Sequence, residues 1–174
     1  MGNIAKKICL VGDFGVGKTS LIRRFVDNQF SDEYLSTVGV KLSRKLINLT
    51  GDISRNVELL IWDIEGQTQF KNIAPSYLQG AKGAIIVADV IRPETIEKLQ
   101  THLDLFFSIN QNSWATIAFN KVDLISQEKL DKLLAVYQFS QDSRVLDIYG
   151  TSAKTGKDVN EIFYELAECM VKSS

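Results

Sequence analysis

Residues 12–19 read Gly12-Asp13-Phe14-Gly15-Val16-Gly17-Lys18-Thr19. They match the pattern G-x-x-x-x-G-K-[ST], with an apolar run before them and apolar residues at helical spacing after them. Glycines let the backbone curl so that successive N–H groups face one anion at the positive end of the following helix. An ordinary glycine turn with a surface lysine is the alternative, but the flanking strand and helix favour a phosphate-binding loop.

Each residue type in this loop has a separate task. The Lys18 ammonium supplies a point charge to the outer phosphates of a nucleotide, and the Thr19 hydroxyl suits Mg²⁺, which prefers oxygen ligands. The predicted phosphate-side residues are Gly12, Asp13, Phe14, Gly15, Val16, Gly17, Lys18, Thr19 and Ser20.

Outside the loop, short apolar runs alternate with helical patterns, which is typical of a parallel sheet covered by helices. Strands are predicted at 4–11, 39–49, 57–63, 83–90, 114–120 and 144–149, and helices at 18–28, 70–80, 93–110, 127–139 and 157–172. Only residues 50–56 separate the second and third strands, so these two should form an antiparallel hairpin. The expected fold is α/β, a P-loop NTPase fold whose six-stranded, mostly parallel sheet has one antiparallel edge strand and five flanking helices.

Composition limits the classes of function. The 174 residues are 45% hydrophobic and 24% charged, which fits one globular domain spanning residues 1–174. A net charge of -1 argues against nucleic-acid binding, and the longest strongly apolar stretch, 84–88, is too short to span a membrane. Cys9 and Cys169 have no paired spacing, so we expect a reducing, cytoplasmic location. The sequence does not support membrane association, and we expect a monomer.

Two later segments point to guanine. Asn120-Lys121-Val122-Asp123 follows the fifth strand, and the Asp123 carboxylate can accept hydrogen bonds from guanine N1–H and N2, a donor pair that adenine lacks. Ser152-Ala153-Lys154 follows the sixth strand, where a backbone N–H can meet guanine O6, and the aliphatic parts of Lys121 and Lys154 can flank the base. Either segment alone could be an ordinary polar loop. Their order after a phosphate loop favours a base site.

At this point the chain resembles the Ras superfamily of small GTPases over nearly its whole length, and is most similar to the Rab-like branch. The matching motifs, in order, are Gly12 to Thr19, Thr37 in Ser36-Thr37-Val38-Gly39, Asp63-Ile64-Glu65-Gly66-Gln67, Asn120 to Asp123, and Ser152 to Lys154. The Rab-like similarity rests on Gly12-Asp13, Thr37-Val38-Gly39-Val40 and Tyr77-Leu78-Gln79-Gly80-Ala81.

The resemblance implies a molecular switch that binds GTP or GDP with Mg²⁺ and slowly hydrolyses GTP. The implied magnesium residues are Thr19, Thr37 and Asp63, and the implied catalytic residues are Lys18, Thr37 and Gln67. Gly66 would meet the γ-phosphate, and Gln67 would position the attacking water. Phe30 would line the guanine edge, and Tyr34 would close over the phosphates.

The resemblance also implies two switch loops, at about 29–39 and 63–75, that change conformation with the nucleotide and bind effectors. Residues 29–37 contain no arginine, so we expect slow intrinsic hydrolysis and a GTPase-activating protein that supplies one, together with an exchange factor. Hydrolysis that is already fast in the purified protein would remove that need.

Three residues depart from the family pattern. Phe14 stands where the relatives have a small residue, and its ring could obstruct an incoming arginine or turn outward. Glu65 replaces the usual alanine and is expected to point away from the phosphates, and Thr68 replaces a frequent acidic residue. A guanine-nucleotide-binding scaffold with little hydrolysis therefore stays as an alternative, followed by a P-loop ATPase or kinase. His102 is expected at the surface or half-buried.

Overall fold

Six strands form one sheet in the computed structural model, which describes residues 2–33, 36–69, 71–139 and 141–174. In chain order the strands are β1 (Ile4–Gly12), β2 (Val40–Leu49), β3 (Arg55–Ile64), β4 (Gly83–Asp89), β5 (Trp114–Asn120) and β6 (Val145–Thr151). The order across the sheet is β2-β3-β1-β4-β5-β6, and β2 is antiparallel to β3 while the other neighbours are parallel. The predicted mixed sheet with its edge hairpin is confirmed.

Helices cover both faces of the sheet. They are α1 (Lys18–Asp27), α2 (Pro93–Glu97), α3 (Leu99–Ile109), α4 (Gln127–Val136) and α5 (Val159–Lys172). Alternate residues of β4 belong to two separate hydrophobic clusters: Ile85 packs with α1 and α5, and Ile86 packs with α3. Burial on both faces explains why this strand is apolar up to Ala88, the residue before its last position, Asp89.

Two predicted helices were wrong in detail. In place of a helix at 70–80, the described residues of that segment contain one 3₁₀ turn, Pro75–Tyr77. Pro75 lacks an N–H and biases the residue before it toward extended geometry, and Ala74 is indeed extended. The single helix predicted at 93–110 is divided at Lys98 into α2 and α3. Five α-helices are therefore found among the described residues, but they are not the five that were predicted.

The topology brings the predicted site residues to one edge. The phosphate loop joins β1 to α1, and the two base segments follow β5 and β6, so all three lie at the carboxyl ends of parallel strands. The chain turns to opposite sides of β1 when it adds β3 and β4, which is where open α/β sheets bind ligands.

In the described part of the chain, no helix has both the length and the apolar character needed to cross a membrane.

Helices α1 and α5 are joined by a stacked aromatic pair, Phe25 and Phe163, whose ring centroids lie 4.0 Å apart. We expect Phe163→Ala to lower the free energy of unfolding by about 3–5 kcal/mol, because the fully buried ring leaves a cavity. Asn160→Ala, at an exposed position of the same helix, should change it by less than about 0.5 kcal/mol. Urea denaturation of both variants tests this, and equal losses would contradict it.

Candidate nucleotide-binding site

The phosphate loop surrounds one side of a cavity of about 270 Å³. Gly15 and Gly17 have φ values of 76° and 101°, a left-handed conformation that favours glycine. A Cβ atom on Gly17 would also lie 2.3 Å from Asn120 Nδ2. This position therefore tolerates no side chain, for reasons of both conformation and space.

Side-chain donors hold the carbonyl groups along the loop. The pairs are Lys18 Nζ with Gly12 O (3.4 Å) and Asp13 O (3.1 Å), Arg92 Nη1 with Phe14 O (2.7 Å), Lys121 Nζ with Gly15 O (2.9 Å), and Asn120 Nδ2 with Val16 O (3.0 Å). In a trans peptide the N–H points opposite to the C=O. The N–H groups of Gly15, Val16 and Gly17 are therefore turned away from these donors, which is the geometry that an anion needs.

Lys18 is buried at the end of the loop with 6% of its surface exposed. Desolvation lowers its pKa to about 8, although the carboxylates of Asp63 and Asp13 act in the opposite direction and the Arg92 charge lowers it further. The loop thus contains a cation whose surroundings only partly compensate its charge, and a phosphate would supply the missing negative charge.

Asp13 is turned away from the cavity toward α3. Its carboxylate oxygens lie 2.9 Å from His102 Nε2 and 3.0 Å from Lys98 Nζ. Burial opposes ionisation, but the hydrogen bonds from His102 and Lys98 outweigh it and lower the pKa of Asp13. The expectation that His102 lies at the surface or is half-buried was wrong, because only 1% of the residue is exposed. Its helical spacing with Leu99 and Phe106 on the buried side of α3 was the available signal.

Three side chains with oxygen ligands meet beside Lys18, where the phosphate loop passes into α1. Thr19 Oγ1 lies 2.5 Å from Asp63 Oδ2 and 2.8 Å from Thr37 Oγ1, and Thr37 Oγ1 lies 3.2 Å from Asp63 Oδ2. Asp63 Oδ1 is buried without a hydrogen-bond partner among the described residues, and burial raises the pKa of this carboxyl. Two hydroxyls and a buried carboxylate with a free oxygen fit Mg²⁺.

The segment after Asp63 runs along the phosphate loop. The Gln67 N–H donates to Gly12 O at 3.1 Å, and the Phe14 N–H donates to Gln67 O at 2.9 Å. A Cβ atom on Gly66 would lie 2.6 Å from the backbone N and Cα of Phe14, so this close approach requires glycine.

Glu65 joins the two predicted switch segments. Its Oε2 accepts from the Gly39 N–H at 3.0 Å and from Lys71 Nζ at 2.6 Å, and its own N–H donates to Gly39 O at 2.8 Å. The hydrogen bond from Lys71 is the main cause of its lowered pKa. The side chain is directed at Gly39 and Lys71, and Glu65 is not among the described residues that line the cavity.

At the base end, Asp123 is oriented by a neighbour. Its Oδ1 accepts from Ser152 Oγ at 2.7 Å, and Ser152 Oγ in turn accepts from the Thr155 N–H at 3.1 Å. Asn120 Oδ1 accepts from Thr151 Oγ1 at 3.1 Å. Two side-chain hydrogen bonds therefore join the end of β5 and the segment after it to the end of β6 and the segment after it, without the help of a ligand.

The base segment also contacts α1, which the sequence did not indicate. Arg24 Nε donates to Ala153 O at 2.8 Å, and Arg24 Nη2 donates to Lys154 O at 2.7 Å. Helix α1 therefore connects the phosphate end of the site to the base end.

Most of the predicted site residues line the cavity together. They are Phe14, Gly15, Gly17, Lys18, Thr19, Ser20, Phe30, Thr37, Asp63, Gly66, Asn120, Lys121, Asp123, Ala153 and Lys154. Among the described residues, those predicted but set back from its wall are Gly12, Asp13, Val16, Gln67 and Ser152. Tyr34 lies outside the described residues. Lining residues that the sequence did not suggest are Ser31, Asp32, Glu33, Ile64 and Leu124.

Comparison with known proteins identifies the family. The family model described as "Ras family" matches residues 7–172. The chain belongs to the Ras family.

Its relatives include several Rab proteins. Ras-related protein Rab-1C of Dictyostelium discoideum is 37% identical over 97% of this chain and 82% of its own length. Rab-13 of Canis lupus familiaris is 33% identical over 97% of this chain and 81% of its own length, and the GTP-binding protein ypt4 of Schizosaccharomyces pombe is 32% identical over 95% and 71%. The predicted resemblance to the Ras superfamily, and to its Rab-like branch, is confirmed.

Membership of the Ras family establishes the general function of this protein. This Ras-family protein is a guanine-nucleotide-dependent molecular switch that binds GTP and GDP with Mg²⁺ and hydrolyses GTP, and its regulators and effectors bind the switch regions. The predicted switch function, GTPase activity and nucleotide and magnesium cofactors are confirmed at this level, and an ATPase or kinase is not favoured.

The low pKa of Lys18 predicts how GDP binding depends on pH. Below about pH 8 the lysine is charged both with and without GDP, so its contribution to the affinity for GDP is constant. Above about pH 8 the free protein has lost this proton, and GDP binding must be accompanied by uptake of a proton. We expect the affinity for GDP to fall by up to about tenfold per pH unit as the pH rises above about 8. Calorimetry in buffers of different ionisation enthalpy would detect the proton uptake.

The control for this prediction is Lys18→Arg, because arginine stays protonated over the whole range. Its affinity for GDP should be lower overall but nearly independent of pH, apart from ionisation of the base itself. The same pH dependence in both proteins would contradict the assignment to Lys18.

Proposed function

We propose that one cavity performs the whole switch cycle of this protein, in a single domain that spans residues 1–174. The observation that carries the proposal is that the phosphate loop, Thr37, Asp63 and Asp123 line the same cavity of about 270 Å³. The family match over residues 7–172 supports a single domain. We further propose a monomer and a cytoplasmic location, which the free thiols of Cys9 and Cys169 support.

The phosphates of GTP are bound by the N–H groups of the loop and by the Lys18 ammonium. Thr19, Thr37 and Asp63 would hold Mg²⁺. When bound, the ion neutralises charge on the phosphate oxygens and helps to orient them. The converging oxygens and the unpartnered Asp63 Oδ1 support this assignment.

Asp123 selects guanine. Its carboxylate accepts from N1–H and the N2 amine, while Ser152 holds it in place through a 2.7 Å hydrogen bond. An adenine base has no such donor pair on that edge, so it would cover the exposed Asp123 carboxylate without replacing the hydrogen bonds that this group makes to water. The stems of Lys121 and Lys154 flank the ring, a backbone N–H of the segment Ser152-Ala153-Lys154 meets O6, and Phe30 lines the edge of the base.

The γ-phosphate controls the two switch loops through Thr37 and Gly66. Charge-assisted hydrogen bonds of this kind contribute about 1.5–3 kcal/mol each. Two or three of them approach the roughly 5.5 kcal/mol needed to move a loop from mostly open to mostly closed. Hydrolysis removes their target, so GTP and GDP favour different surfaces for effectors.

Gln67 positions the attacking water, and turnover without a partner is slow. No arginine occurs at residues 29–37, so a GTPase-activating protein supplies the cation, and an exchange factor renews the nucleotide. The family match does not favour the alternative of a scaffold with little hydrolysis. Phe14 is 40% exposed at the cavity and its N–H is bonded to Gln67 O, so this residue is instead expected to slow assisted turnover.

Asp123→Ala tests the choice of base. We expect the preference for GDP over ADP to fall at least about tenfold, because two acceptor contacts are lost. Asp131→Ala, which removes an exposed carboxylate on α4, should leave the preference unchanged. Competition of both nucleotides against a fluorescent GDP measures it. An unchanged preference in Asp123→Ala would contradict the proposed base site.

Phe14→Ser tests the effect of the ring on turnover. We expect activator-stimulated hydrolysis to rise by about tenfold or more, because a small residue leaves room for an incoming arginine, which contributes about 10³–10⁵ in rate when it is in place. Val136→Ser, at a 74% exposed apolar position on α4, is the control and should not change the rate. Phosphate release measured with a cognate activator decides the matter, and equal rates for wild type and Phe14→Ser would exclude obstruction.

A further inference from the structure

Arg92 contacts the phosphate loop from a segment that no motif includes. It lies between β4 and α2, and its Nη1 donates to Phe14 O at 2.7 Å. Its backbone is held on both sides: its N–H donates to Asp89 O at 3.0 Å, and its carbonyl accepts from Thr95 Oγ1 at 2.8 Å. Glu94 Oε1 lies 3.2 Å from Arg92 Nε. The Arg92 backbone is therefore fixed by Asp89 and Thr95, and its guanidinium is oriented by Glu94 as well as by Phe14 O.

Phe14 is one of the loop residues whose backbone hydrogen-bonds to Gln67, together with Gly12. The Phe14 N–H donates to Gln67 O at 2.9 Å. The backbone N and Cα of Phe14 lie only 2.6 Å from the position that a Cβ atom on Gly66 would take. The backbone of Phe14 thus has Arg92 on one side and Gly66 and Gln67 on the other. Movement of this backbone would displace the two residues expected at the γ-phosphate and the attacking water.

The neighbouring loop carbonyls are held by other residues. Lys121 donates to Gly15 O and Asn120 donates to Val16 O, and both donors come from the segment after β5. Neither of these two contacts involves Arg92. Loss of the Arg92 contact would therefore leave the remainder of the phosphate-binding loop supported.

We propose that Arg92 is a positioning residue for GTP hydrolysis: it fixes the Phe14 backbone, and through it the Gly66-Gln67 segment. The inference rests on the proposed function, in which Gly66 and Gln67 act at the γ-phosphate. The Arg92 charge is also close enough to contribute to the lowered pKa of Lys18, so it adds positive potential at the same end of the loop.

The test separates turnover from affinity. In Arg92→Gln we expect the single-turnover rate of GTP hydrolysis to fall about tenfold or more, since the lost hydrogen bond has a charged donor. Affinities for GDP and for a non-hydrolysable GTP analogue should stay within about threefold of wild type. Arg92→Lys keeps a cationic donor but loses the planar guanidinium group. Its rate of GTP hydrolysis should therefore lie between those of wild type and Arg92→Gln.

Arg44→Gln is the matched control, because this arginine lies on β2 with its side chain 77% exposed. Its rate and affinities should equal those of wild type. Thermal unfolding of each variant accompanies the kinetics, and if Arg92→Gln does not fold, the comparison of Arg92→Lys with wild type decides.

Two results would overturn the inference. The first is a wild-type rate of GTP hydrolysis in Arg92→Gln, or in Arg92→Lys if only that variant folds. The second is a loss of nucleotide affinity as large as the loss of hydrolysis rate, which would make Arg92 a general support of the phosphate loop. Failure of the proposed function looks different, because wild type itself would then not bind or hydrolyse GTP. A selective loss of rate that lysine partly restores supports the role.

Discussion

The site depends on a buried cation. Lys18 is nearly inaccessible, and transfer of an ammonium group out of water is unfavourable unless opposite charge and hydrogen-bond acceptors surround it. Two loop carbonyls and the carboxylates of Asp13 and Asp63 provide part of this, yet its pKa still lies at about 8. A phosphate therefore enters a loop in which an uncompensated positive charge is already in place. The strength of the site comes from this incomplete compensation.

The two carboxylates near Lys18 have different surroundings. Asp13 is held by His102 and Lys98, which keep it ionised and turned toward α3. Asp63 accepts hydrogen bonds from the Thr19 and Thr37 hydroxyls but retains a buried oxygen without a partner among the described residues. Only Asp63 therefore has capacity for a further cation. The same carboxylate oxygen accepts from Thr19 of the phosphate loop and from Thr37 of the first switch segment, so it joins the two segments.

Sequence patterns predicted the strands well and the side-chain contacts poorly. Each strand was found within two residues of its predicted bounds, because burial on one or both faces imposes a pattern that can be read locally. Among the described residues of 70–80 a 3₁₀ turn stands in place of the predicted helix, because Pro75 removes a backbone donor and favours extended geometry at Ala74.

The sequence contains no comparable pattern that would predict contacts between distant segments. Arg92 and Phe14 are 78 positions apart, and Arg24 and Ala153 are 129 apart. In both pairs the acceptor is a backbone carbonyl, which every residue possesses, so its identity in the sequence carries no signal. Such supports of a functional loop can be recognised only once the fold has brought the segments together.

The departures from the family pattern lie at one end of the site. Phe14 and Glu65 both lie near the expected γ-phosphate position, where Phe14 contacts Gln67 and Arg92 and Glu65 joins Gly39 to Lys71. At the base end, Asn120, Asp123 and Ser152 keep the family residues. The contacts of Phe14 and Glu65 named above connect the phosphate loop and the two switch segments. The hydrogen bonds that the side chains of Asp123 and Asn120 accept come instead from Ser152 and Thr151, so the base end is supported independently of the residues that depart from the family pattern.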